Sequence, residues 1–218
     1  MTTHLHPRSM TWLAVCAIAA VAGCATPAAA PAPDYDAMAR TMLRNSFRPQ
    51  GQATLERLEQ DPLQRACSAE TPPAADVIRR LEARELASVK PPSDGRYLGD
   101  WREGEKLAQN GRGMTWSDPA GVANGGNCYN CHELSKAEIA YGTLGPSLHQ
   151  YGKLRGVADP SSAVAAPIVQ YTWGKLYNAK AYNACSVMPR FGEAHVLTVK
   201  QMQDLMALLL DPASPVNK

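Results

Sequence analysis

Two cysteines separated by two residues, with a histidine directly after the second, constrain this chain more than any other stretch: Cys128-Tyr129-Asn130-Cys131-His132. The spelling C-x-x-C-H is the attachment signature of a c-type haem. Thiols one turn apart reach the two vinyl groups of a single porphyrin and form thioethers. The adjoining imidazole is then held beneath the iron as an axial ligand. A domain built on such a group can be small, because the porphyrin fills much of its core.

Other chemistries use the same residue types and need different surroundings. A structural zinc site requires a second closely spaced pair of ligands, whereas Cys16, Cys24, Cys67 and Cys185 are singletons far apart. A thioredoxin-like C-x-x-C follows a buried strand in a βαβ unit. Here the preceding run is Gly-Val-Ala-Asn-Gly-Gly-Asn, with no strand pattern. A plain disulfide within the motif is the bland alternative, and the leader described next argues against it.

Residues 1–23 read as a secretory signal. Arg8 flanks a short apolar run from Thr11 to Gly23 that is too short to span a bilayer. Val21-Ala22-Gly23-Cys24 resembles a bacterial lipobox, whose cysteine becomes the lipidated first residue, so Cys24 is a lipidation candidate against ordinary cleavage within the Ala-rich stretch after it. Either route places the chain in the periplasm, where haem c is attached and disulfides persist. Residues 24–34 form a Pro/Ala tether. The formal net charge of +2 and the lack of a basic stripe interleaved with aromatics give no support to a nucleic-acid partner.

Residues 35–95 read as a helical N-terminal extension. Leu55, Leu58 and, past a proline, Leu63 fall near one face, and Val77, Ile78, Leu81 and Leu86 recur at helical spacing after Thr71-Pro72-Pro73-Ala74. Pro91-Pro92-Ser93-Asp94-Gly95 marks the boundary to a haem domain over residues 96–218. There, Asp100–Asn110 is a short helix in which Gly104 implies the close approach of another helix or the haem edge. A helical region runs from Asp159 to about Tyr177, with Pro167 inside its first part. Tyr171, Trp173, Tyr177 and Tyr182 are candidates to wall the haem, although ordinary core packing needs the same residues. Thr198–Leu210 repeats Met202, Leu205, Met206 and Leu209 as an amphipathic helix. The expected fold class is therefore all-α.

The ligand set follows by position. A carbonyl from the Gly145-Pro146 turn can accept the Nδ1 proton of His132 and fix its tautomer; a mere turn fits the local sequence equally. Met188, before Pro189 on a loop, suits a thioether ligand on the other side of the iron, which raises the potential for electron transfer. Met114 precedes the motif, Met202 and Met206 sit at core spacing, and His149 and His195 are lone histidines, so Met188 is preferred. With Cys24 modified or removed, Cys67 and Cys185 are left to pair as a disulfide tying the extension to the Met188 loop. The alternative is a reactive thiol at Cys185.

These stretches carry a family resemblance. Gly126–His132, Tyr141–Leu154 and Val169–Gly192, with Gln170-Tyr171-Thr172-Trp173-Gly174-Lys175-Leu176-Tyr177-Asn178 and Cys185-Ser186-Val187-Met188-Pro189-Arg190-Phe191-Gly192, resemble the SoxX subunit of the periplasmic sulfur-oxidising system over roughly residues 96–211. The resemblance implies a class I cytochrome c fold with one haem c, thioethers at Cys128 and Cys131, and axial His132 and Met188. It implies pairing with a SoxA-type haem subunit that couples thiosulfate to a cysteine of the SoxYZ carrier. The chain would accept the released electrons and pass them to a small cytochrome, with no catalytic residue of its own. A lipobox-like Cys24 is less usual for that family.

Two other classes stand beside this expectation. A free-standing electron-shuttle cytochrome would stay monomeric when the haem partner is added. An enzyme or gas sensor would need an open iron position, and its reduced form would bind carbon monoxide.

Overall fold

The computed structural model describes Met1 and residues 32–218. The leader, Cys16, Cys24 and most of the tether lie outside the described residues. The chain divides into two compact units, Met1–Asn45 and Ser46–Lys218. In the first, helix α1 (Tyr35–Ser46) buries no residue. Asp34 Oδ1 accepts the Ala37 N–H at 2.9 Å to start it, and Asp36 and Arg44 stand at the ends where the helix dipole favours their charges.

The second unit is helical, with no strand among the described residues; an isolated bridge pairs Gln50 with Ala53. Its helices are α2 (Pro62–Cys67), α3 (Ala75–Ser88), α4 (Trp101–Gln109), α5 (Tyr151–Leu154), α6 (Ala166–Tyr177) and α7 (Val199–Leu210). Side-chain caps explain several starts. Asp61 and Gln64 form a reciprocal capping box on α2, Thr198 and Gln201 form another on α7, and Asp100 caps α4. The 46–95 part of the extension belongs to the same compact unit as residues 96–218.

Helix α7 is the centre of the core. Met202, Leu205, Met206, Leu208, Leu209 and Leu210 are all buried, each contributing about 1.5–3 kcal/mol by removal from water. Helix α4 crosses it at Gly104, where a Cβ would stand 2.2 Å from the Asp204 carbonyl oxygen. The expected close approach is thus a helix, α7. Asp204 reinforces the crossing: its Oδ1 accepts the Asp100 N–H at 2.7 Å, and Gly99 N–H donates to Gln203 O at 2.8 Å.

Helix α6 starts later than the expected Asp159. Asp159 instead accepts from the Ser161 N–H at 2.8 Å and the Ser161 hydroxyl at 2.6 Å, closing a turn. Pro167 then falls in the first turn of α6, where its missing N–H costs nothing. Trp173 and Tyr177 are buried and Tyr171 is partly exposed, stacked edge-on with Tyr182 at 4.8 Å. Trp173 turns toward the extension: its indole N–H donates to the Lys90 carbonyl at 2.7 Å and its ring meets Tyr97 at 5.5 Å.

Candidate functional site

The C-x-x-C-H segment is delivered by a loop zipped onto the end of α4. Gly126 N–H donates to Leu107 O at 2.8 Å, and Asn127 N–H to Asn110 O at 3.1 Å. Asn127 then takes the left-handed conformation, φ 50°, which asparagine tolerates better than most residues. A 3-10 turn over Cys128–Asn130 follows, and the N–H groups of Cys131 and His132 both return to the Cys128 carbonyl, at 3.1 and 2.9 Å. One tight turn therefore holds both cysteines and the histidine.

Both thiols are free. Cys128 packs against the hydrophobic core. Burial, with the neighbouring Cys131 adding to it, pushes the Cys128 thiol up to about 12, so at neutral pH it is a protonated, poorly nucleophilic group. Tyr129 beside it is also buried, and its phenol is pushed up to about 12 by burial and then by Glu105 and Glu138.

Residues 142–148 run alongside the motif. Gly142 N–H donates to Tyr129 O and Gly145 N–H to Cys131 O, both at 2.8 Å, and Leu148 N–H to Glu133 O at 2.7 Å. His132 Nδ1 lies 2.7 Å from the Pro146 carbonyl oxygen. Since a carbonyl only accepts, this contact puts the proton on Nδ1 and leaves the lone pair on Nε2. The imidazole lies directly on Gly145, where a Cβ would stand 2.1 Å from His132 Cε1. Glu133 locks the turn by accepting from Lys136 and from Ser147 Oγ at 2.6 Å. These two hydrogen bonds, Lys136 first, hold its carboxyl below the usual range.

Met188 lies half-buried against the core in the irregular stretch between Ala181 and Val199, its N–H donating to Ser186 Oγ at 3.2 Å. Cys185, three residues earlier, is disulfide-bonded to Cys67 with a Cα–Cα separation of 5.4 Å. The other candidate ligands have the following surroundings. Met202 and Met206 are core residues of α7, the Met114 carbonyl accepts from Arg57, His195 is exposed, and the Nδ1 of His149 is buried without a hydrogen-bond partner.

The residues present fit a haem c. They supply two free thiols within one turn and an imidazole whose Nδ1 is committed to the Pro146 carbonyl; Met188 contributes a half-buried thioether on a separate loop. Among the described residues no three His, Cys, Asp or Glu side chains converge on one point, and the C-x-x-C pair has no second pair to complete a tetrahedral zinc site. Sequence reasoning missed the ionic cluster around Arg190. Its guanidinium meets Asp61 at 2.9 Å, Glu193 at 3.4 Å and Glu85 at 3.8 Å. No local spacing signals a pairing across 129 residues.

No family model matches the chain. It is similar to a protein of Aquifex aeolicus (strain VF5) described as an uncharacterized lipoprotein, with 37% identity over 163 residues that cover 73% of each chain. No helix among the described residues is long and apolar enough to cross a membrane.

Proposed function

The chain belongs to the same family as this Aquifex aeolicus lipoprotein, and from that premise and the geometry of its Cys128–His132 turn we propose a monohaem c-type cytochrome. The observation that carries the reading is the 2.7 Å contact from His132 Nδ1 to the Pro146 carbonyl within the C-x-x-C-H turn. It gives the imidazole the tautomer, orientation and basicity an iron ligand needs. Cys128 and Cys131 would hold the haem covalently, and His132 and Met188 would supply ligands to its iron. When bound, the haem supplies reversible one-electron chemistry. The protein's own residues do the rest. The glycines at 142 and 145 let the 142–148 strap close on the motif, and the buried Tyr129, with the partly buried Cys128 beside it, limits water at that edge. The crossing of α4 and α7 at Gly104 supports a class I cytochrome c fold.

Within this reading the chain is a SoxX-type subunit. It pairs with a SoxA-type haem subunit, accepts the electrons released when thiosulfate is coupled to a SoxYZ cysteine, and passes them to a small cytochrome. The run Gln170–Asn178 leading to Met188-Pro189 supports that assignment. Lipidation at Cys24 would hold the domain at the membrane, on its periplasmic side; that the relative is described as a lipoprotein supports the anchor. That same anchor favours a second reading, a membrane-tethered electron shuttle without a stable haem partner.

The deciding experiment is periplasmic co-expression with a SoxA-type subunit, followed by a thiosulfate-dependent reduction assay on this haem. A stable pair, reduced only when thiosulfate and carrier are both present, supports the Sox role. A haem protein that forms no pair and shows no substrate-dependent reduction leaves the shuttle.

A further inference from the structure

We propose that residues 46–95 act as a clamp on the Met188 loop and that Arg190 is the positioning residue through which the clamp holds Met188 on the iron. The inference rests on the haem ligation proposed above and concerns what keeps that ligand in place.

The loop from Tyr182 to Thr198 contains no helix or strand, so its own backbone gives Met188 little rigidity. Ligand sulfur on such a loop leaves the iron whenever the loop opens. The extension grips it on both sides. Upstream of Met188, Cys185 is bonded to Cys67 of α2, and the Ala184 N–H donates to Glu82 Oε1 of α3 at 3.1 Å. Downstream, Arg190 Nη2 donates to Asp61 Oδ2 at 2.9 Å, and Nη1 stands 3.8 Å from Glu85 Oε2 of α3. Glu193, on the loop itself, adds a third carboxylate at 3.4 Å. Glu85 is in turn fixed by Asn178 Nδ2 at 2.9 Å, just beyond α6.

The magnitudes favour a real grip over a decorative surface pair. The Arg190 side chain is 22% exposed, Glu85 12% and Asp61 31%, so the cluster is partly shielded and less screened than an open surface pair. A planar guanidinium serving several carboxylates holds direction as well as charge, which a lysine cannot reproduce. The Asp61 carboxyl is also committed to the Gln64 N–H at 2.7 Å, the cap of α2. Arg190 thereby grips a helix start that the Cys67 disulfide ties to the same loop. Pro189, with its fixed φ, is the single residue between Arg190 and Met188, so little free backbone rotation separates the gripped residue from the proposed ligand.

The test uses the full haem-loaded chain and reads Met188 directly. In the ferric protein, the near-infrared Met-to-iron charge-transfer band reports the bound sulfur, and the rate of imidazole binding reports how often it leaves. We expect Arg190→Gln and Asp61→Asn each to raise the imidazole binding rate roughly tenfold, the scale of one lost charge-assisted hydrogen bond. Arg190→Lys should recover part of the loss. Arg80→Gln, which breaks an exposed pair with Asp76 on α3, should leave the rate unchanged. A merely structural Arg190 would lower the unfolding midpoint and leave the native-state imidazole rate alone, and that result overturns the proposal. If Arg190→Gln does not accumulate, Asp61→Asn decides by the same criterion. A wild-type haem protein without the Met band overturns the ligation reading and the clamp with it; a wild-type band with unchanged variants overturns the clamp alone.

Discussion

At the scale of single residues, two neighbours of His132 set the chemistry. Gly145 has no side chain because the imidazole occupies that space: a Cβ would stand 2.1 Å from Cε1. Gly145→Ala should push the ring off the Pro146 carbonyl and cost about 1–3 kcal/mol as overpacking, read as a lower denaturation midpoint and a steep fall in haem-stained protein. Cys128 makes a second prediction. Its thiol is raised to about 12 by burial, so in the haem-free chain alkylation by iodoacetamide should be slow at neutral pH and accelerate as pH rises. The linked stability has a fixed sign. An unfolded thiol ionises at its ordinary value, so this contribution is complete below that value and lost as pH climbs toward about 12.

Asp61 gives the opposite sign on the acid side. Burial pulls its carboxyl upward, but the Gln64 backbone bond and the Arg190 guanidinium outweigh it and hold the group below the usual range. Its contribution is complete above the ordinary carboxylate value and disappears as pH falls through the lowered folded value. Asp61→Asn should therefore flatten the acid limb of the stability profile relative to wild type, measured by denaturant unfolding at a series of pH values.

At the scale of elements, the α4–α7 crossing carries the second unit. Leu208 is fully buried and faces Gly104. Leu208→Ala should cost about 2–5 kcal/mol, measured by denaturant unfolding. Much of this layer was legible in advance. Helical spacing and a Thr cap announce α7, and Gly104 in the middle of α4 announces a close neighbour. The start of α6 was not, because the pull of Asp159 into a serine turn competes with helix entry and leaves Pro167 to set the beginning. Trp173 was legible as buried, but its bond to the Lys90 carbonyl was not, since the partner lies in another element. The same holds at the candidate site. The motif and the Gly-Pro turn are local patterns, whereas the Arg190 cluster is assembled by the fold from residues far apart in the chain.

At the scale of the second unit, residues 46–95 and the domain after them form one compact body stitched by a disulfide across 118 residues. Loop-closure entropy over such a span is worth about 4–5 kcal/mol in the chain-entropy model. A Cys67→Ser/Cys185→Ser double variant should lose a large part of that in denaturant unfolding. Covalent haem at the Cys128–His132 turn is the central proposal for this unit. Its most direct test is the intact mass and pyridine haemochrome spectrum of the chain expressed with a haem-attachment system. One haem per chain, abolished as covalent adduct when Cys128 and Cys131 are both replaced by serine, is the predicted result. A wild-type chain exported in folded form at its bare polypeptide mass, with both thiols still free, would contradict it.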